Sequence, residues 1–234
     1  MNIALILAAG KGQRFDRNIP KQFASLNGKP VLEYSLDIVA EMEQIDRIVI
    51  VTHPDYEQTI REIGRKYSKT IAICEGGSTR QESVYKGLKR IKEMRSFSDA
   101  SNVLIHDSAR PFAKFVFHRV MEKLKTEKAV VPVINTKDTI YVIQKNKIVD
   151  IPCRDYLFNV QTPQGFSFPL ILESHVKAAQ QKLLTFTDDG SLYTAIQKCQ
   201  PSIVEGDQMN FKITDQKDRI IAEYFLSHEK EQLR

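Results

Sequence analysis

Short, continuously apolar runs recur along the chain at 3–7, 47–51, 70–74, 102–106 and 129–134, and most are rich in Val and Ile. Such runs suit β-strands buried on both faces. Amphipathic stretches lie between them. Leu32, Leu36 and Val39 share one helical face, as do Val84, Leu88 and Ile91, and again Val116, Val120 and Leu124. Strand–helix alternation predicts an α/β fold around a mostly parallel sheet with right-handed crossovers. The rhythm changes after residue 136. Thr139–Ile143, a polar turn at 144–147 and Ile148–Ile151 predict a β-hairpin outside the repeating units. An arm of this kind packs on a partner subunit or folds back on its own domain. Helices are expected at about 169–182 and 188–199, with a strand near 202–205. A last helix is expected to begin at Thr214 as its N-cap and to bury Ile220, Ile221, Tyr224 and Phe225. The expected organisation is one domain over 1–234 with a β-arm inserted at about 137–160.

The 234 residues are 42% hydrophobic and 27% charged, enough for a self-supporting core. The net charge of +5 suits a small anionic substrate. It lacks the concentrated basic stripe of a nucleic-acid binder, so no nucleic-acid partner is expected. The close-set lysines at 123–125 and 86–92 read as solvated helix faces. Cys74, Cys153 and Cys199 are odd in number, far apart and without a C-x-x-C, which indicates neither a zinc site nor a disulfide framework. A reducing, cytoplasmic location is the simple expectation. The apolar N-terminus breaks at Gly10-Lys11 and has no basic leader, unlike a signal peptide. No apolar stretch approaches membrane-spanning length, so no membrane association is expected.

Five segments carry chemistry. The first runs from the initial strand through Leu7, Ala8, Ala9 and Gly10 to Lys11-Gly12-Gln13-Arg14, then Pro20-Lys21-Gln22. A small-residue loop after a buried strand presents backbone N–H groups to phosphate, and Arg14 and Lys21 add charge. It is neither a P-loop nor a G-x-G-x-x-G fingerprint, since Phe15 stands where a third glycine would be needed. By itself it reads equally as a glycine turn with surface cations. The second, Gly76-Gly77-Ser78-Thr79-Arg80-Gln81-Glu82-Ser83, follows a strand and precedes a helix, with Ser78 or Thr79 as cap. Its place is the sheet edge where open α/β sheets bind ligands. The third is His106-Asp107-Ser108-Ala109-Arg110-Pro111. Asp107 suits a metal ion, substrate hydroxyls or an ion pair with Arg110, and His106 reads as structural. The fourth is Arg154 followed by Gln161-Thr162-Pro163-Gln164. The fifth is Asn210–Thr214, in which Lys212 either serves a site or snorkels from its apolar neighbours. Thr187-Asp188-Asp189 reads as a helix start, with acids favoured by the dipole.

Taken in order, these five segments resemble the 2-C-methyl-D-erythritol 4-phosphate cytidylyltransferases of the non-mevalonate isoprenoid pathway over nearly the whole chain. The resemblance implies a Rossmann-like nucleotidyltransferase fold of the nucleotide-diphospho-sugar transferase type. It implies a homodimer whose β-arms cross to the partner, and transfer of CMP from CTP to a polyol phosphate with Mg²⁺ or another divalent cation. Carried over by motif, Arg14 and Lys21 stabilise the transition state, while Arg154, from the partner, and Lys212 position the acceptor phosphate. Asp107 holds acceptor hydroxyls and Thr162 lies near the acceptor. Leu7, Ala8, Ala9, Gly10, Gly77, Ser78, Ser83 and Ser108 line the CTP site. The sister family of ribitol-5-phosphate cytidylyltransferases shares nearly every motif. Arg80–Leu88 and Thr187-Asp188-Asp189 favour the methylerythritol branch, whereas Ile151-Pro152-Cys153-Arg154 and Leu7 lean the other way. A nicotinamide-dependent oxidoreductase is disfavoured by the missing third glycine and by Thr52-His53-Pro54 where a ribose-binding acid would stand. A non-catalytic nucleotide-binding module has less need of so many cations.

Overall fold

The computed structural model describes residues 1–10, 15, 20–94 and 102–232. Its strands are β1 (Asn2–Ala8), β2 (Ser25–Leu26), β3 (Lys29–Pro30), β4 (Arg47–Thr52), β5 (Thr70–Glu75), β6 (Asn102–Asp107), β7 (Ala129–Asn135), β8 (Val142–Gln144), β9 (Lys147–Asp150), β10 (Phe158–Val160), β11 (Gln164–Ser167) and β12 (Ser202–Glu205). The helices are α1 (Val31–Glu41), α2 (Glu57–Gly64), α3 (Arg80–Glu93), α4 (Lys114–Lys123), α5 (Phe168–Gln180), α6 (Asp189–Gln197) and α7 (Gln216–Gln232).

β5, β4, β1 and β6 pair in parallel, and β11 lies antiparallel between β6 and β7. β12 joins β7 in parallel, and β10 runs antiparallel to β7 beside β11. The α/β, mostly parallel expectation holds. The antiparallel insertion is new, because Gln164-Gly165-Phe166-Ser167 has no apolar run to mark it as a strand.

The five apolar runs are strands because each contributes to two cores. Ile3, Leu5 and Leu7 of β1 point to one face and pack with Val84, Leu88 and Ile91 of α3 and Ile171 of α5. Ala4, Ile6 and Ala8 point to the other and pack with Leu32, Leu36 and Val39 of α1 and Val116, Val120 and Leu124 of α4. Alternation of side chains along a strand requires apolar residues at every position when both faces are covered. All three helical stripes read from the sequence are therefore buried.

The last helix departs from expectation in two ways. Its cap is Asp215, whose Oδ1 accepts from the N–H groups of Lys217 and Asp218. Asp218 reaches back to the N–H groups of Thr214 and Asp215 and to the Thr214 hydroxyl, completing a reciprocal capping arrangement. That phase turns Ile220, Ile221 and Tyr224 to solvent, at 64, 47 and 60% exposure. Ala222 and Leu226 face inward instead, onto a small cluster with Leu26, Val31 and Ile213, and Phe225 is half-buried. A short β2–β3 hairpin covers little area, so one narrow stripe suffices.

The arm is present as the antiparallel pair β8–β9, turning through Lys145 and Asn146, both at positive φ. Two such residues make the tight turn that matches strand twist. Its apolar residues, among them Ile143, Ile148, Val149 and Ile151, are exposed, so within one chain the arm does not fold back on the body.

Gly87, in mid-α3, allows close approach to β1: a Cβ there would meet Leu5 Cδ1 at 2.6 Å and Val51 Cγ2 at 2.9 Å. Gly87→Ala is expected to destabilise the fold by about 1–2 kcal/mol, because overpacking outweighs the roughly 1 kcal/mol gained in helix propensity. Urea denaturation measures this, and a stabilised variant would show that the α3–β1 contact has slack.

Candidate active site

Parallel pairing brings the strand ends level. Leu7 pairs with Asp107, Ala8 with Thr52, and Thr52 with Glu75. The loops that follow line a cleft of about 1100 Å³, which collects Leu7, Ala8, Ala9, Gly10, Lys21, Gly77, Ser78, Ser83, Asp107, Ser108 and Lys212. Eleven of the residues singled out in the sequence thus share one cavity. Arg14 and Lys11 lie outside the described residues. Thr162 and Arg154 are not in the cleft wall.

The first two loops are packed against each other. A Cβ on Gly76 would fall 2.4 Å from Ala9 Cβ, and one on Gly77 would collide with Glu82 at 2.3 Å. At Gly10 a Cβ would meet no atom of the described residues within 4 Å. Gln22, buried, donates from Nε2 to the carbonyls of Ala8 and Gly10 at 2.8 and 3.0 Å. This strap sets the path of the loop and holds Lys21 beside it. The sequence pointed to Gln22 only as part of a motif, since nothing local predicts what its amide bonds.

Thr79 is the N-cap of α3, accepting from Glu82 N–H at 3.1 Å. Glu82 accepts from the N–H and hydroxyl of Ser78, and these bonds hold its carboxyl below the usual range. The Ser83 hydroxyl donates to Thr79 O and accepts from Gly77 N–H, so it braces the loop from beneath.

Asp107 is the charged centre. Its Oδ1 meets Arg80 Nε at 3.2 Å and its Oδ2 meets Lys212 Nζ at 2.7 Å. Burial opposes its ionisation, but Arg80 and then Lys212 outweigh burial and hold the carboxyl far below the ordinary carboxylate range. The Asp107–Arg110 ion pair weighed from sequence does not form: Arg110 Nη1 donates to Asn210 O at 2.7 Å. Lys212 does not simply snorkel. Asn210, anchored to Thr162 O and Gln161, and Ile213, whose N–H bonds Ala109 O, fix the segment on either side of it.

The Thr162 hydroxyl is buried behind Asp107, where it accepts from Asp107 N–H at 3.1 Å and meets His106 Nδ1 at 3.2 Å. His106 Nε2 lies 3.2 Å from Arg110 O. The carbonyl must receive a proton, so the neutral ring carries it on Nε2 and Nδ1 accepts from Thr162. The structural reading of His106 holds. Arg154 is exposed at the base of the arm, with Nη1 donating to Lys137 O at 3.2 Å.

Three residues of the charge network were missed: Arg80, Asp189 and His175. Arg80 bridges Asp107 and Asp189, the latter through Nη1 at 2.8 Å, and Asp189 also meets His175 Nε2 at 3.1 Å. Asp189 is buried, so it does more than favour a helix dipole. The available signal was Arg80 itself: a cation at the first position of a helix opposes the dipole and needs a carboxylate partner.

A model of the family described as IspD: 2-C-methyl-D-erythritol 4-phosphate cytidylyltransferase matches residues 2–228. The chain belongs to this family. Enzymes of this family are nucleotidyltransferases, and the relatives matched are named for the methylerythritol branch. A 2-C-methyl-D-erythritol 4-phosphate cytidylyltransferase of Clostridium beijerinckii is 39% identical over 229 residues, covering 96% of this chain and 98% of that protein. One of Thermosipho africanus is 36% identical over 219 residues, covering 93% and 95%. The crystal structure of 4-diphosphocytidyl-2C-methyl-D-erythritol synthase from Anaerococcus prevotii superposes with a TM-score of 0.82 at 34% identity, covering 97% of this chain and 98% of that one.

Burial drives the His106 imidazole down to about 3, so the folded ring stays neutral at mild acidity. The unfolded ring takes up a proton below about 6.5. Its contribution to stability is therefore present above pH 6.5 and lost as pH falls toward 3. Between pH 7.5 and 5.5 this costs about 1.4 kcal/mol. Urea midpoints of wild type and H106Q should converge over that interval by this amount, and parallel pH dependences would show that the ring protonates in the fold.

Proposed function

We propose that the cleft transfers CMP from CTP to 2-C-methyl-D-erythritol 4-phosphate, releasing pyrophosphate, as a step of isoprenoid biosynthesis. The observation that carries this reading is the meeting of Lys21 and the Ala8-Ala9-Gly10 and Gly76–Ser83 loops with the Asp107–Lys212 pair in one cavity. One side suits a triphosphate and the other a phosphorylated polyol. An acceptor phosphate oxygen attacks the α-phosphorus, the bond from that phosphorus to the bridging oxygen breaks, and pyrophosphate leaves with the electron pair. The attacking group is already ionised, so no general base is needed, which agrees with a histidine kept neutral and out of the cleft. The barrier is dominated by bringing anions together. Fixed cations offset that repulsion, and positioning supplies much of the remainder.

In this reading Leu7, Ala8, Ala9, Gly10, Gly77, Ser78, Ser83 and Ser108 form the CTP side. Lys21 and Arg14 stabilise the transition state, while Asp107 and Lys212 receive the acceptor. Thr162 acts through Asp107, whose N–H it accepts. The family implies a divalent cation. Among the described residues no group of three His, Cys, Asp or Glu is placed to hold one, and both oxygens of Asp107 are taken by cations. These side chains do not fit a protein-held metal. A magnesium ion suits the triphosphate's own oxygens and water, as is usual for this ion.

Arg154 is assigned to the acceptor phosphate of the partner subunit. The support is its distance from its own cleft wall and the exposed apolar arm above it, which a second copy would cover. The working unit is thus a homodimer of single-domain chains exchanging arms at 137–160. No described helix is long and apolar enough to cross a membrane, and a cytoplasmic site of action is the reading adopted.

Mixing the protein with CTP, Mg²⁺ and each acceptor, and following pyrophosphate, tests the assignment: release is expected with methylerythritol phosphate, whereas release with ribitol 5-phosphate alone would overturn it. Lys21→Ala should lower kcat on the order of 10²–10³-fold with an unchanged melting temperature, and an unfolded variant would make Lys21 structural. Inactive Lys21→Ala and Arg154→Ala subunits should regain activity when mixed. Failure despite demonstrated subunit exchange would place Arg154 outside the partner's site.

A further inference from the structure

Five side chains from five separated segments form one chain of ion pairs and hydrogen bonds. His175 of α5 meets Asp189, the first residue of α6; Asp189 meets Arg80, the first residue of α3; Arg80 meets Asp107 at the end of β6; and Asp107 meets Lys212. Each carboxylate divides its oxygens between two partners. Asp189 gives Oδ2 to Arg80 and Oδ1 to His175, while Asp107 gives Oδ1 to Arg80 and Oδ2 to Lys212. The third guanidinium nitrogen, Arg80 Nη2, is buried without a hydrogen-bond partner, so the two carboxylates alone set the pose of this side chain among the described residues.

This pattern changes what Lys212 has to offer. A lone Asp107–Lys212 pair would leave both carboxylate oxygens open to the ammonium. Arg80 is shared with Asp189, so the two carboxylates balance the two cations, and what Arg80 adds is geometric: it takes Oδ1, so Lys212 bonds Oδ2 alone and keeps its remaining N–H donors for an incoming phosphate. The planar fork also fixes the plane of the Asp107 carboxylate, which a point charge cannot do. Buried Asp189, itself bonded to buried His175, holds the other side of the fork.

We propose that Arg80 is a positioning residue for the acceptor: it occupies one oxygen of Asp107 so that Lys212 stays available to the acceptor's phosphate, with Asp189 as its rear anchor. The inference rests on the reading of Asp107 and Lys212 as the acceptor side of the site.

The test compares full-length wild type, R80Q, R80K and D189N by initial rates, varying methylerythritol phosphate at saturating CTP and then the reverse, with melting curves for each. R80Q should raise the KM for the acceptor at least tenfold while the KM for CTP stays within twofold. R80K, which restores charge without the fork, should recover part of the loss. D189N should move the same parameter in the same direction by about threefold. The proposal is overturned if R80Q leaves the acceptor KM within twofold, if both KM values rise together, or if only kcat or the melting temperature falls. Should R80Q not fold, D189N decides: a changed acceptor KM supports the proposal and an unchanged one overturns it. A wild type that releases no pyrophosphate with this acceptor would sink the functional reading itself, a different result from wild-type turnover with unaltered variants.

Discussion

In-register parallel pairing of β6, β1, β4 and β5 is the constraint on which this molecule depends. Ala8, Thr52, Glu75 and Asp107 end their strands side by side, across about 15 Å at the usual strand spacing. The loops after β1, β4, β5 and β6 start from that row, and the Lys212 segment docks onto it through Ile213 N–H and Ala109 O. The register is held because β6, β1 and β4 are buried on both faces, and a slip of one residue would exchange the contents of the two cores. Nothing in the loops themselves has to find the site. Once the two cores close, the loop beginning at Ala9, the Gly76–Ser83 turn and Asp107 are already adjacent.

The electrostatics above that edge run against burial. Asp107 and Asp189 stay ionised where solvation is poor because Arg80, helped at Asp107 by Lys212, outweighs burial. Buried ion pairs are weak contributors to net stability and strong penalties when broken. Their use here is geometric: a shared carboxylate has few orientations, and so has the lysine bonded to it. Directly behind, the His106–Thr162 pair does the same work with neutral groups, tying Asp107 N–H to the buried Thr162 hydroxyl. The site thus joins a charged face toward the cleft to an uncharged brace within the core.

Much of this was readable from the chain. Strands covered on both faces announce themselves as unbroken apolar runs, and helices packed on them show clean stripes, which is why β1, β4, β6, α1, α3 and α4 were legible. β11 was not, since Gln164 and Gly165 fill a central strand with residues chosen for what they touch: Gln164 binds the start of α6 and Gly165 makes room for Val120 and Leu124. The face of α7 was misjudged because its stripe is set by a cap one residue further on. The cleft residues were found through motif order. The Arg80–Asp189 pair escaped because its members lie 109 positions apart and the local reading of each, a motif residue and a helix start, was sufficient alone. Arg154, read from its motif, lies outside the wall of its own cleft.

The contact between Gly76 and Ala9 has a consequence for how such an enzyme can change over time. With 2.4 Å between a hypothetical methyl and an existing one, neither loop can gain a carbon unless the other loses one or the turn moves. The two positions are therefore coupled across 67 residues of sequence: a side chain at 76 has to wait for the methyl at 9 to go. The exposed arm carries no such coupling, and its residues are free to change one at a time.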